Sequence, residues 1–252
     1  LFNWSMNNNE VTDLPDGIDQ IQLGTYWDMK LMAIPGQPYG SLYGYDFLRD
    51  DEGNIIHRDG VPVQGELKIL GNVQPDWIGG MTNQFSYKGF DLSILVDYHK
   101  GGDVYNMTNA WGRYAGALEE SLIGREGGIV GIGVKEVYDA EGNVSYVEND
   151  VVVTAEEYNH AAFANSIGAG SVFDASYIKL REVRLGYTFK NLADFPIKGI
   201  NISLVGRNLA LLYSTIPHID PETSFTNGNV QGFEFGQLPS ATSFGFNINL
   251  KF

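Results

Sequence analysis

The sequence predicts an all-β chain, an antiparallel up-and-down transmembrane β-barrel segment. It reads as an incomplete barrel, an open curved sheet with long extracellular loops. Three observations carry this. The last stretch, Ala241 to Phe252, sets Phe244, Phe246, Ile248, Leu250 and Phe252 at every second position, with Ser243, Gly245, Asn247, Asn249 and Lys251 between them. Side chains of a strand point alternately to opposite faces, so this stretch has one apolar and one polar face. Its length suits a tilted strand crossing the hydrocarbon layer. A strand of a soluble β-sandwich would alternate as well, and the loop lengths decide between the two. Connections run long (10–76), short (88–89), long (100–174), short (190–199) and long (214–240). An up-and-down barrel produces that rhythm, whereas a Greek-key sandwich has no reason to. Third, aromatics bracket a hairpin, with Tyr87 and Phe90 at its turn and Trp77 and Tyr98 at its far end. Membrane barrels carry such girdles at both interfaces.

In chain order, residues 1–9 alternate Phe2, Trp4 and Met6 with Asn3, Ser5 and Asn7, which predicts a first strand. A polar loop follows, with a short strand at Gly24–Trp27, a turn at Pro35–Pro38 and another short strand over Tyr39–Leu48. Asp50-Asp51-Glu52-Gly53-Asn54 is acidic enough to raise a calcium site. It lacks the ligand spacing of an EF-hand and reads as a solvated turn. Strands are predicted at 77–87 and 90–99, joined by the tight turn Lys88-Gly89. The stretch 101–174 reads as irregular, with a small hairpin turn at Glu141-Gly142-Asn143. Thr154 and Glu157 form a capping box that starts a helix running to about Asn165. Residues 175–189 form a strand whose apolar phase switches near Arg181, either a β-bulge or emergence from the membrane. A short connection containing Pro196 leads to a strand over 200–213, then a polar loop, then 241–252.

The faces follow from the alternation. Asp91, Asp97, Glu182, Arg184, Asn201, Ser203, Asn247 and Asn249 are expected to face the lumen. Phe90, Leu92, Ile94, Val96, Val183, Leu185, Phe244, Phe246 and Ile248 are expected to face lipid. The aromatic terminus Phe252 is the expected C-terminal assembly signal. In the long second connection, Tyr105, Trp111 and Tyr114, with Arg113 among them, are possible substrate contacts, although loop packing explains them as well.

Composition excludes several classes. No cysteine is present, so disulfides and thiol chemistry are absent. A net charge of −15 argues against nucleic acid, which needs a basic surface. His57, His99, His160 and His218 are scattered, and no Gly-x-Ser-x-Gly elbow occurs. The expectation is no enzyme, no metal and no cofactor. No apolar run approaches the length of a membrane helix, which says nothing against a barrel. The chain starts at Leu1 without a secretion signal, and six membrane-length strands are fewer than the eight of small barrels. It is therefore expected to be a fragment.

Several segments together resemble one family. These are Gly71 to Gly80, Phe85 to Leu92, Gly101 to Tyr105, Tyr177 to Tyr187, Gly206-Arg207-Asn208-Leu209, Asp220-Pro221-Glu222 and Phe244 to Phe252. In this order and spacing they resemble SusC/RagA-type TonB-dependent outer-membrane transporters over roughly residues 35–252. The resemblance implies that residues 1–252 are the C-terminal part of such a barrel, without the plug domain and the N-terminal strands. It implies the outer membrane of a Gram-negative bacterium and import of a large nutrient, a glycan or a peptide. It further implies a SusD-like surface lipoprotein as partner, contact with outer-membrane lipid, and coupling to the inner-membrane TonB complex through the missing N-terminal part. The alternatives are a soluble β-rich glycan-binding module and a barrel that only anchors surface loops.

A charge on the lipid face tests the alternation. Leu92→Arg or Ile94→Arg is expected to cost roughly 2–4 kcal/mol in bilayer unfolding titrations, as for an arginine near the midplane. No destabilisation at either position would contradict the assignment of faces.

Overall fold

The computed structural model describes residues 1–163, 167–190, 198–223, 226 and 228–252. Six strands form one antiparallel sheet in which each strand neighbours the next of the six in sequence. They are β1 (Phe2–Ser5), β2 (Trp77–Tyr87), β3 (Phe90–Lys100), β4 (Tyr177–Lys190), β5 (Gly199–Ser214) and β6 (Ser243–Lys251). The sheet is an open meander. β6 pairs with β5 and β1 pairs with β2, and the described residues contain no pairing between β6 and β1. The five longer strands fall within two residues of the expected boundaries. β1 is shorter than the predicted strand over 1–9. Asn9 accepts a hydrogen bond from the Tyr39 N–H at 2.7 Å, so the chain has already left the sheet for the first connection. Residues 191–197 of the predicted short connection 190–199, Pro196 among them, and the predicted helix end at Asn165 lie outside the described residues.

Turn chemistry sets the β2–β3 register. Lys88 and Gly89 both have positive φ, 47° and 91°, as a two-residue hairpin turn requires, and Tyr87 pairs with Phe90 across it. The phase switch near Arg181 is a β-bulge. The register shifts between Leu180 and Glu182 against both β3 and β5. One extra residue there returns Ile178 and Leu180 to the same face as Val183 and Leu185.

The first connection is more structured than the sequence predicts. Ile21–Tyr26, Met29–Ala33, Ser41–Phe47 and Gln64–Asn72 make a four-stranded antiparallel sheet. Ile56–Arg58 and Val61–Pro62 form a small hairpin, extended by Val134–Tyr138 and Val144–Glu148. The turn predicted at Glu141–Asn143 closes that last pair, and the Asp139 carboxylate accepts from the Glu141 and Asn143 N–H groups at 3.0 and 2.7 Å. Among the described residues two α-helices sit in the second connection, α1 (Met107–Tyr114) and α2 (Ala155–Phe163). The capping box of α2 is reciprocal. Thr154 Oγ1 accepts from the Glu157 N–H at 3.1 Å, and Glu157 Oε2 accepts from the Thr154 N–H at 3.0 Å.

The buried core belongs to the connections and not to the six-stranded sheet. Met29, Leu31, Leu42, Tyr105, Met107, Ala110 and Phe233 pack together. The first three come from the first long connection, the next three from the second, and Phe233 from the third. Each fully buried large apolar side chain contributes roughly 1.5–3 kcal/mol, so the three connections hold one another in a single body at one end of the sheet.

Gly89 offers a local test. A Cβ there would lie 3.1 Å from the Tyr187 ring and 3.2 Å from the Thr188 carbonyl oxygen, on a backbone with φ of 91°. Gly89→Ala is expected to destabilise by about 1–2 kcal/mol in chemical denaturation. An unchanged midpoint would show that the turn does not fix the hairpin.

Candidate functional site

Cross-strand pairing sorts the sheet into two faces. Phe85, Leu92, Leu185, Leu204 and Phe246 form one continuous row of paired residues. Tyr87, Phe90, Tyr187, Ile202 and Ile248 form the next, and Ile94 and Val183 pair on the same face with Gly206 and Phe244. Val96 continues this face opposite Leu180. The face is uncovered, with Phe246 75% and Phe244 80% exposed. An apolar surface of this extent does not belong in water. At the short-turn end, the Phe90 and Tyr187 rings lie 4.7 Å apart, as do those of Tyr187 and Phe189. Trp4, Tyr98 and Tyr213 line the other end. From Phe90 to Tyr98 at about 3.4 Å per residue, the two aromatic rows are roughly 27 Å apart along the strand.

The opposite face is a polar ladder. Ser86 donates to Asp91 at 2.8 Å, Asn201 to Thr188 at 2.8 Å, Arg207 to Glu182 at 2.8 Å and Asn249 to Asn247 at 2.7 Å. Ser203 is buried opposite Gly186, and Arg184 lies between Ser93 and Val205 in the register. Phe252 follows β6 and is 71% exposed.

At the loop end of this face the bulge builds an ion cluster. Lys179, with 4% of its side chain exposed, donates to Asp220 and to Glu222 at 2.6 Å each and to Ser240 at 3.1 Å. Arg181 pairs with Asp97 on β3 and grips both oxygens of Glu222, while its Nη1 also donates to Asn208 at 2.6 Å. Tyr177 donates to Glu222 at 3.1 Å. Three separate segments, Tyr177–Tyr187, Gly206–Leu209 and Asp220–Glu222, thus meet in one network that fastens the third connection to the sheet. Burial by itself raises both carboxyls. Hydrogen bonds from Lys179 and Ser240 to Asp220, and from Arg181 and Lys179 to Glu222, outweigh it and hold both at about 2.

A pocket of about 590 Å³ opens among the loops between α1 and α2. Arg113, Tyr114, Arg125, Glu156 and His160 line it, with the start of α2. Tyr114 stacks on His160 with ring centroids 4.0 Å apart. Arg113 lies 4.0 Å over the Phe163 ring, and its Nε donates to Asn159 at 3.3 Å. Burial lowers the Arg113 pKa. Of the aromatics raised as substrate contacts, Tyr114 lines this pocket. Tyr105 must be corrected. It is 1% exposed and packs edge-on against Phe233 at 6.4 Å, so it is a core residue. Trp111 packs against Trp27 at 5.3 Å and Tyr114 at 5.4 Å, flanking the shared core. Sequence reasoning missed Arg125 and Glu156, because only the fold brings residues 113, 125 and 156 together. Among the described residues no cluster of potential metal ligands occurs.

An open antiparallel meander with an uncovered apolar face, a polar ladder on the opposite face and a loop cluster at one end defines part of a membrane β-barrel wall. Comparison with known proteins narrows the class. No protein-family model matches the chain. The TonB-dependent receptor P3 of Formosa agariphila is 24% identical over 285 residues, covering 100% of this chain and 26% of that protein. The TonB-dependent receptor SusC of Bacteroides thetaiotaomicron is 22% identical over 283 residues, covering 100% of this chain and 24% of that protein. The RagAB peptide transporter structure aligns with a TM-score of 0.61 at 19% identity, over 99% of this chain and 26% of that one. The chain therefore resembles SusC/RagA-type TonB-dependent transporters along its whole length, and spans about a quarter of the relatives it matches.

The ion cluster has a pH signature. Both carboxyls sit below their ordinary values, so their stabilisation is complete above about pH 4.5 and is lost as pH falls toward 2. Lys179→Met is expected to cost near the lower end of roughly 3–5 kcal/mol, because Glu222 keeps Arg181. It should also flatten the acid loss of Tm between those pH values. A wild-type pH profile in the variant would contradict the cluster's role.

Proposed function

We propose that this chain is the C-terminal barrel part of an outer-membrane TonB-dependent transporter in a Gram-negative bacterium. In the parent protein, a plug domain and the N-terminal strands complete the barrel and give the outer edges of β1 and β6 their partners. In hydrocarbon those edge N–H and C=O groups have nothing else to bond. The transporter imports a large nutrient, a glycan or a peptide, under a SusD-like surface lipoprotein, with energy from the inner-membrane TonB complex. The polar face lines the lumen, the apolar face meets lipid, and Phe252 serves barrel assembly. The chain performs no catalysis. The observation that carries this reading is the full-length likeness to TonB-dependent receptors, borne on a meander whose long connections all gather at one end. RagAB, described as a peptide importer, lends weight to peptides among the candidate nutrients.

Deletion of the parent gene is expected to abolish growth on one member of a panel of glycans and peptides, with growth restored by the full-length gene. Unimpaired growth on every nutrient that the wild type uses would favour a barrel that only anchors its loops. A detergent-free, monomeric preparation of residues 1–252 with cooperative unfolding would favour the soluble module.

A further inference from the structure

We propose that the pocket between α1 and α2 binds a carboxylate group of the incoming oligomer, with Arg113 as the contacting residue. The inference rests on the import reading above and specifies the chemistry of what is imported.

The chain carries −15 overall, so its surface repels anions in general. Among the described residues, Arg49, Arg58, Arg181 and Arg207 each hold a carboxylate. Arg113, Arg125 and Arg184 hold none; Arg184 stands on the polar face of the sheet, and the other two line the same pocket. Arg125 is occupied in part as a staple. Its Nε donates to the Ser121 carbonyl at 3.0 Å, and its Nη2 bonds the Gly116 carbonyl and the Ser121 hydroxyl. Those acceptors are neutral, so its positive charge stays uncompensated.

Arg113 is held from two sides. The Phe163 ring supports the guanidinium plane, and Asn159 takes Nε. Both Nη nitrogens have no protein partner among the described residues. A planar fork fixed in this way matches a carboxylate, which accepts two parallel N–H bonds. The start of α2 lines the pocket as well, but its Glu157 N–H is already taken by Thr154 and two carboxylates, Glu156 and Glu157, sit in its first turn, so the positive potential of the pocket comes from the two guanidinium groups. Glu156 is the one acidic residue in the lining, and Glu120, bonded to His218 just outside it, also attracts Arg113; both oppose these charges. The volume, about 590 Å³, lies within the range of ligand sites and admits more than a single ion. The Tyr114–His160 stack gives the remainder of such a ligand an aromatic wall. A uronate sugar and an acidic peptide both supply the carboxylate.

The test uses the full-length transporter purified in detergent and titrated calorimetrically with two matched pairs. One pair is tri-galacturonate against maltotriose. The other is triglutamate against triglutamine, both N-acetylated and C-amidated. The expected result is that the acidic member of one pair binds at least about tenfold tighter than its neutral counterpart, and the responding pair identifies the source. Arg113→Gln should remove that preference, Arg113→Lys should keep part of it, and Glu156→Gln should tighten acidic binding about twofold or more. Equal binding within both pairs, or a preference that survives in a folded Arg113→Gln protein, overturns the proposal. Should Arg113→Gln fail to fold, Glu156→Gln decides, and unchanged acidic affinity in it overturns the proposal. Nutrient uptake is measured separately. Uptake without acidic preference refutes the pocket and leaves import standing, whereas acidic preference without uptake supports the pocket and refutes import.

Discussion

The arrangement depends on one buried ammonium. Lys179 is almost wholly withdrawn from water, and a lone charge in that position is not tolerable. Asp220 and Glu222 make it so, and they come from a connection that leaves the sheet after β5 and returns as β6. The bulge at Arg181 places a second cation beside the first, and Arg181 reaches both β3 and Glu222. Sheet register, the path of the third connection and the position of Phe233 in the loop core are therefore linked. Buried ion clusters add little net stability compared with apolar packing, but they tolerate few alternative arrangements.

Above this clamp the chain is organised like a soluble domain, and below it like a membrane wall. The loop body has a dry core drawn from all three connections. The six-stranded sheet has no core of its own, since its apolar side chains point away from everything else in the chain. Such a sheet is a poor structure in water and a suitable one in lipid, where only its polar face meets solvent.

The wall was legible in the sequence because period-two alternation runs through β2, β3 and β6 and resumes on either side of the bulge in β4. The capping box at Thr154 and the turns at Lys88 and Glu141 were legible because their chemistry is local. The four-stranded sheet of the first connection was not. Met29–Ala33 is five residues long and largely buried on both faces, so it shows no alternation. Tyr105 was misjudged for a related reason, because an aromatic residue in a long connection looks alike whether it faces a ligand or a core. Lys179, Arg181, Asp220 and Glu222 stood out as segments, but sequence separation concealed that they touch. The pocket at Arg113 was out of reach for the same reason.

The central claim is that β2 to β6 form a wall with lipid on one face and water on the other. Residues 1–252 contain no cysteine, so single labels are clean within them. Nitroxides placed one at a time at Leu92, Leu185, Leu204 and Phe246, and at Asp91, Gly186, Ser203 and Asn247, in full-length protein reconstituted in bilayers would report each face. Their collision rates with oxygen, which partitions into lipid, and with a water-soluble nickel chelate are the measurement. The account predicts oxygen preference at the first four positions and nickel preference at the second four. Equal accessibility along β6, or the reverse assignment, would contradict it.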